Sequence, residues 1–206
     1  MAMKRLGAAG TVCAAIAASW LAAAPAFAAP ALYDLDPAHS FVHFEVSHFG
    51  ASTLRGRLGP VAGTVELDRE GGSGEVGLRI ATANVDMGVP VFNARMREAD
   101  LLAVQEFPEA FFVATARGFR FDERGALAEV RGEFTWRGVS QPLSLLARFF
   151  ACREDAARRA EVCGGEFEAE LRRSDFGANF GLPFIGNRVR LRIQVEGVRR
   201  PAPAPR

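Results

Sequence analysis

Arg188-Val189-Arg190-Leu191-Arg192-Ile193-Gln194-Val195 decides the fold. Every second residue is a branched apolar side chain, and every residue between is charged or amide-bearing. A period of two is the signature of a β-strand with one buried and one wet face. The pattern recurs upstream. Phe167, Ala169 and Leu171 alternate with Glu166, Glu168 and Glu170. Val130, Phe134 and Trp136 alternate with Glu129, Arg131, Glu133 and Thr135, and Val76, Leu78 and Ile80 with Glu75, Gly77 and Arg79. Further strands are expected over Phe41–His48, Thr53–Leu58, Gly63–Asp68, Ala110–Phe121 and Leu143–Phe150. Glu70-Gly71-Gly72-Ser73 and Asp122-Glu123-Arg124-Gly125 supply hairpin turns, with glycine where a positive φ is needed. Evenly spaced strands with short turns predict an all-β meander that closes on itself around one apolar interior, as a barrel or sandwich.

One segment breaks this rhythm. Between Pro90 and Leu102, the apolar residues Phe92, Met96, Ala99 and Leu102 fall at helical spacing, and Pro90 suits a first helical turn. One or two short helices are expected there, lying across an opening of the sheet.

The N-terminus speaks to compartment. Lys4 and Arg5 precede an apolar, alanine-rich run from Leu6 to Ala24, and Ala26-Phe27-Ala28 has the small-x-small form of a cleavage site. Residues 1–28 therefore read as a signal peptide, directing a periplasmic protein with no stable membrane anchor after cleavage. The sole lysine and Arg5 leave with it, so the formal net charge of +1 becomes −1. That balance excludes a basic nucleic-acid face. Residues 29–198 form one domain, and the proline- and alanine-rich 199–206 read as a disordered tail. Cys152 and Cys163 remain as a lone pair in an exported chain, which predicts a disulfide across a polar connection.

Catalytic chemistry is not found. His39, His43 and His48 are the only histidines, and no acidic pattern completes a metal set around them. Gly71-Gly72-Ser73-Gly74 is not G-x-S-x-G, and no P-loop or dinucleotide fingerprint occurs. The reading is not an enzyme, with no cofactor or metal. What stands out is apolar surface: seventeen phenylalanines against one tyrosine. A barrel of about eight strands can fill its interior with such rings or hold one small ligand.

Short blocks in consistent order then show a likeness. Asp36-Pro37-Ala38-His39-Ser40-Phe41-Val42-His43-Phe44, Glu106-Phe107-Pro108-Glu109-Ala110-Phe111, Gly132-Glu133-Phe134-Thr135-Trp136-Arg137-Gly138-Val139-Ser140-Gln141-Pro142-Leu143 and Arg173-Ser174-Asp175-Phe176-Gly177 resemble the YceI family across about Leu32 to Val198. The resemblance implies an eight-stranded antiparallel lipocalin-like barrel holding an isoprenoid-type lipid, a polyprenyl phosphate or an isoprenoid quinone. The candidate lumen set is Val42, Phe44, Val46, Val76, Leu78, Ile80, Phe92, Met96, Phe112, Phe134, Trp136, Phe167, Leu171, Leu191 and Ile193. Arg95 and Arg97 are candidate head-group donors at the mouth. The sequence departs from the family at Asn93-Ala94-Arg95-Met96-Arg97 and Leu101-Leu102, which bears on head-group preference. Two other readings stay open: an accessory of quinone-dependent electron transfer, and a structural barrel with a filled interior. Oligomeric state is not legible.

Overall fold

The computed structural model describes residues 30–201. The expected signal peptide lies outside the described residues, as do residues 202–206. Eleven strands and one short helix follow in order: β1 (Ala31–Leu35), β2 (Phe41–His48), β3 (Ser52–Leu58), β4 (Val61–Asp68), β5 (Ser73–Ala81), α1 (Pro90–Met96), β6 (Glu109–Ala114), β7 (Phe119–Phe121), β8 (Leu127–Trp136), β9 (Val139–Asp155), β10 (Ala160–Arg172) and β11 (Ile185–Arg199). Single 3₁₀ turns occupy Ala116–Gly118 and Arg173–Phe176.

The strands make eight staves of one closed antiparallel barrel. β1 and β2 both pair with β11 and form one interrupted stave, and β6 and β7 do the same against β8. β3 and β4 form a third interrupted stave, β3 against β2 and β4 against β1 and β5. The ring then runs β5, β6/β7, β8, β9, β10, β11, and closes where Tyr33, Asp34 and Leu35 register with Arg199, Val198 and Gly197. Closure leaves little unpaired edge, chiefly the second side of β3, which meets Asp86 through Arg57. Where two staves crowd, glycine makes room. Gly63 sits at φ 139°, and a Cβ there would stand 2.1 Å from the Gly77 carbonyl oxygen.

Alternation in the sequence survives as burial in the barrel. Leu191 and Ile193 point inward while Arg190, Arg192 and Gln194 point out, and Glu166 and Glu170 are exposed on either side of buried Phe167 and Ala169. Many outward acids meet arginines across strands, as in Arg148–Glu168 at 2.6 Å, Arg188–Glu170 at 2.9 Å and Arg55–Glu45 at 3.0 Å. Such exposed pairs contribute little each, and their main effect is a well-solvated outer face.

The structure corrects three boundaries. The stretch Ala110–Phe121, expected as one strand, is broken by the turn at Ala116–Gly118. Ala110, Phe112 and Ala114 face inward at even positions, whereas Phe119 faces inward at an odd one, so continuous strand would put one set outside. A bulge opposite Glu166/Phe167 does the same for β9, where Leu143 and Leu145 point in but the disulfide-bearing Cys152 follows on the other parity. Finally, Arg199 and Arg200, expected in the tail, are held by the barrel. Arg199 belongs to β11, the Arg200 amide donates to the Leu32 carbonyl at 2.7 Å, and its guanidinium holds Asp34.

Strand direction sorts the connections into two ends. The turns after β4, β7 and β9 lie with both described termini at one end. The β2–β3 turn, the long segment 82–108 with α1, the β8–β9 turn and segment 173–184 lie at the other. As expected, Cys152 and Cys163 form a disulfide. It does not tie off a loose connection: the two residues are directly opposed in the β9–β10 ladder at the first end.

Candidate functional site

The inward faces meet differently at the two ends. At the first, Tyr33, Leu67, Val76, Phe119, Leu127, Val130 and Phe167 are all buried in a packed plug with Cys163. The Tyr33 hydroxyl donates to Glu161, which also accepts from Arg69 at 2.9 Å. Burial, then the bond to Glu161, pushes the Tyr33 hydroxyl up to about 12. Toward the other end the packing stops, and a cavity of about 370 Å³ opens.

Every stave contributes to its wall. β2 supplies Val42, Phe44 and Val46, with His48 at its rim; β3 supplies Leu54 and Leu58, and β4 supplies Val61. β5 supplies Leu78 and Ile80, followed by Thr82. β6 gives Ala110 and Phe112, β8 Phe134 and Trp136, β9 Leu143 and Leu145, and β10 Leu171. β11 closes the circuit with Ile185, Val189, Leu191 and Ile193. Two rings lie along the wall over glycines: a Cβ at Gly56 would be 2.4 Å from the Phe44 ring, and one at Gly132 would be 2.7 Å from that of Phe112. Glycine at these positions is what lets a large ring occupy the lining.

Helix α1 and segment 173–184 lie at the opening. Phe92, Arg95 and Met96 line the cavity from α1, which buries no residue fully, and Leu101 and Leu102 follow from the turn beyond it. Phe180 and Ala178 line it from the other side. Of the candidate lumen set, all but Val76 and Phe167 border the cavity. Those two face inward by the same parity, but they lie too far along their strands and belong to the plug.

The arginines at the mouth are the second correction. Arg97 does not face the cavity: its Nε donates to the Ala83 carbonyl at 2.9 Å, and a terminal nitrogen reaches that of Val85 at 3.3 Å. Arg95 does border the cavity, but its guanidinium grips Asp100 with two bonds of 2.7 Å and lies 3.9 Å over the Phe180 ring. The bond to Arg95 holds the Asp100 carboxyl below its usual range. Neither arginine is a free head-group donor in this state.

Arg173, which the turn motif alone does not place, is the buried cation of the lining. It is 5 % exposed and donates to the carbonyls of Gly186, Ala178 and Ile185 at 2.6–2.8 Å. Burial lowers its pKa from the ordinary guanidinium value. Its role is to clasp segment 173–186 onto the barrel end. Arg137 does similar work across the mouth, donating to the Ala99, Leu101 and Phe176 carbonyls. Among the described residues, one buried side-chain donor has no acceptor, the indole nitrogen of Trp136. Of the other lining residues missed by sequence reasoning, Met87, Leu101 and Phe180 come from irregular segments where period two does not apply, whereas Leu54, Leu58, Leu143, Leu145 and Val189 sit on expected strands, where alternation gives the face but not the depth along the barrel.

The site has the make-up of a container. The three histidines do not converge. His39 meets Asp36 at 2.8 Å on the surface, His43 faces solvent, and His48 meets the Phe49 ring edge-on. Among the described residues the only metal-type grouping is Cys152, Glu161 and Cys163, and its thiols are tied up in the disulfide.

Comparison with known proteins fits this geometry. The YceI-like domain family matches residues 33–197. Protein YceI of Salmonella arizonae is 32 % identical over 178 residues, covering 85 % of this chain and 90 % of that protein. Among solved structures, BcnA of Burkholderia cenocepacia superposes with a TM-score of 0.66 at 19 % identity, covering 79 % of this chain and 99 % of that one. A polyisoprenoid binding domain from Saccharophagus degradans, implicated in plant cell wall breakdown, gives 0.56 at 18 % identity over 82 % and 98 %. With a matching domain over nearly the whole barrel and close relatives along the same length, the chain belongs to the YceI family.

Proposed function

We propose that this protein is a periplasmic carrier that holds the tail of an isoprenoid-type lipid in its barrel lumen. The observation that carries the reading is the cavity: about 370 Å³, lined by apolar side chains from every stave. That volume falls within the range of small-molecule sites. It also counts against the filled structural barrel, since a packed interior would leave no such space. Each methylene moved from water to an apolar site is worth about 0.8 kcal/mol, so a prenyl tail has ample drive to enter, and ordering the tail offsets part of that gain. Sharing a fold with a polyisoprenoid binding domain supports the same class of ligand. The apolar N-terminal run, its small-x-small site and the Cys152–Cys163 disulfide support export to an oxidising compartment. Binding without turnover is part of the proposal, because the carboxylates near the mouth are engaged by arginine or backbone donors rather than paired for acid–base work.

The test is solvent extraction of protein purified from an expressing Gram-negative cell, followed by mass spectrometry. Stoichiometric recovery of an isoprenoid quinone or polyprenyl phosphate is expected from material released by osmotic shock and beginning at Ala29. Recovery of no lipid, even after incubation with both classes, overturns the reading.

A further inference from the structure

The two ends of the barrel differ on the outside as they do inside. At the plugged end every hairpin turn is charged: Arg69 and Glu70, Asp122 to Arg124, and Asp155 with Arg158 and Arg159. At the open end, three segments reach the rim without one Asp, Glu, Lys or Arg among them: Val46–Leu54, Met87–Ala94 and Phe176–Asn187. In a chain with 24 % charged residues this is a marked segregation. Instead these segments expose large apolar side chains: Phe49 at 63 %, Phe184 at 62 % and Val91 at 67 %, beside Phe92 and Phe180, which also line the cavity. The apolar surface therefore continues from the lumen out over its rim at Phe92 and Phe180, with the Arg95–Asp100 pair beside it.

Phe49 is held there at a cost. It has φ 52°, in the left-handed region that a bulky residue avoids, its amide donates to the Phe184 carbonyl at 2.7 Å, and the two rings stack at 5.6 Å. The fold gains little burial from a ring left 63 % exposed. Contiguous exposed apolar surface of this kind marks an interaction site.

We propose that the open rim docks on the neutral surface of a lipid bilayer, with Phe49 and Phe184 inserted and the lumen opening toward the acyl chains. This rests on the carrier reading and says how the cargo would enter. A prenyl tail crossing a water gap would expose its methylenes at about 0.8 kcal/mol each, and a rim seated in the interface removes the gap. The surface is read by apolar burial and not by charge, because Arg95 is held by Asp100 and Arg97 by backbone carbonyls, leaving no basic cluster there. A second copy bound mouth to mouth would seal both openings and stop exchange.

The experiment is flotation of the protein released by osmotic shock and beginning at Ala29, with phosphatidylcholine vesicles, for wild type and a Phe49→Ser/Phe184→Ser variant. Neither residue lines the cavity, so lipid retention, measured separately by extraction, reports that the variant is folded and its lumen intact. Wild type is expected to float with the vesicles, equally at low and high salt. The double variant should partition roughly ten- to hundredfold less, from the lost burial of two rings, while retaining its lipid. Wild type that retains lipid but stays off neutral vesicles overturns the docking proposal and leaves the carrier reading intact. So does equal partition of the variant, binding that needs anionic lipid and fades with salt, or a dimer that the variant dissociates. Partition without lipid retention overturns the carrier reading alone.

Discussion

The plugged end and the hollow end of this barrel are built from the same staves and the same alternating pattern, yet one is a core and the other a container. At the plugged end Tyr33, Phe119 and Phe167 converge with Leu67 and Leu127, the disulfide ties β9 to β10, and Tyr33 is anchored to Glu161. At the hollow end the wall is dominated by Val, Leu and Ile, and the rings of Phe44 and Phe112 lie over Gly56 and Gly132. The lesson is that an inward-facing apolar residue has no fixed meaning. Its contribution depends on whether its opposite number meets it across the axis.

The largest effect expected from this contrast is on binding. Leu191 is buried and lines the cavity. Leu191→Arg places an unpaired charge in an apolar wall, a penalty of several kcal/mol, so lipid retention should fall more than a hundredfold as read by extraction and mass spectrometry. Unchanged retention in a folded variant would break the assignment of the hollow half.

Truncation should separate the halves by stability. Leu127→Ala in the plug creates a new cavity and is expected to cost about 3–4 kcal/mol in urea or guanidinium unfolding. Leu78→Ala enlarges a space already there and removes fewer contacts, so about 1–2 kcal/mol is expected. Equal costs would mean that the two ends are packed alike.

Removing the cross-strand link sharpens the picture of the plug. Cys152→Ser with Cys163→Ser opens a sequence separation of 11 and should cost about 3 kcal/mol on the chain-entropy account, with lipid retention preserved at temperatures where the variant stays folded. Loss of retention in a folded variant would show that the plug shapes the lumen.

The smallest effect concerns alkali. The folded-state pKa of Tyr33 is raised above its ordinary value of 10.0, to about 12. The neutral hydroxyl is therefore favoured by folding: its contribution is fully present below pH 10 and is lost as pH rises from about 10 to about 12. A decline of at most about 3 kcal/mol is expected across that window. It should be absent in Tyr33→Phe, and a decline of the same size in that variant would assign it elsewhere.

Much of the site was legible because period two survives wherever a strand is regular. Val42, Phe44 and Val46 on β2, and Leu191 and Ile193 on β11, follow directly from alternation, and the short helix follows from the spacing of Phe92 and Met96. Val76 and Phe167 show the limit of that logic. Parity says which face a side chain takes but not its depth along the barrel. Arg97 shows another limit, since nothing local says that its guanidinium will be claimed by the carbonyls of Ala83 and Val85. The break at Ala116–Gly118 is a third: Arg117-Gly118 is a weak turn signal inside an aromatic-rich stretch, and what requires glycine there is the Arg131 carbonyl, which would stand 2.1 Å from a Cβ.

By itself, the amino-acid sequence determined that the chain forms strands with one apolar face, where a helix interrupts them, and which two cysteines pair. Those outcomes depend on local periodicity and on composition. Only the tertiary structure decided that the interior is full at one end and empty at the other, which arginines are already spoken for, and that uncharged loops distant in sequence meet around one opening. Each of these depends on what stands opposite a residue across the barrel axis, and that is settled by closure and register, not by neighbours along the chain.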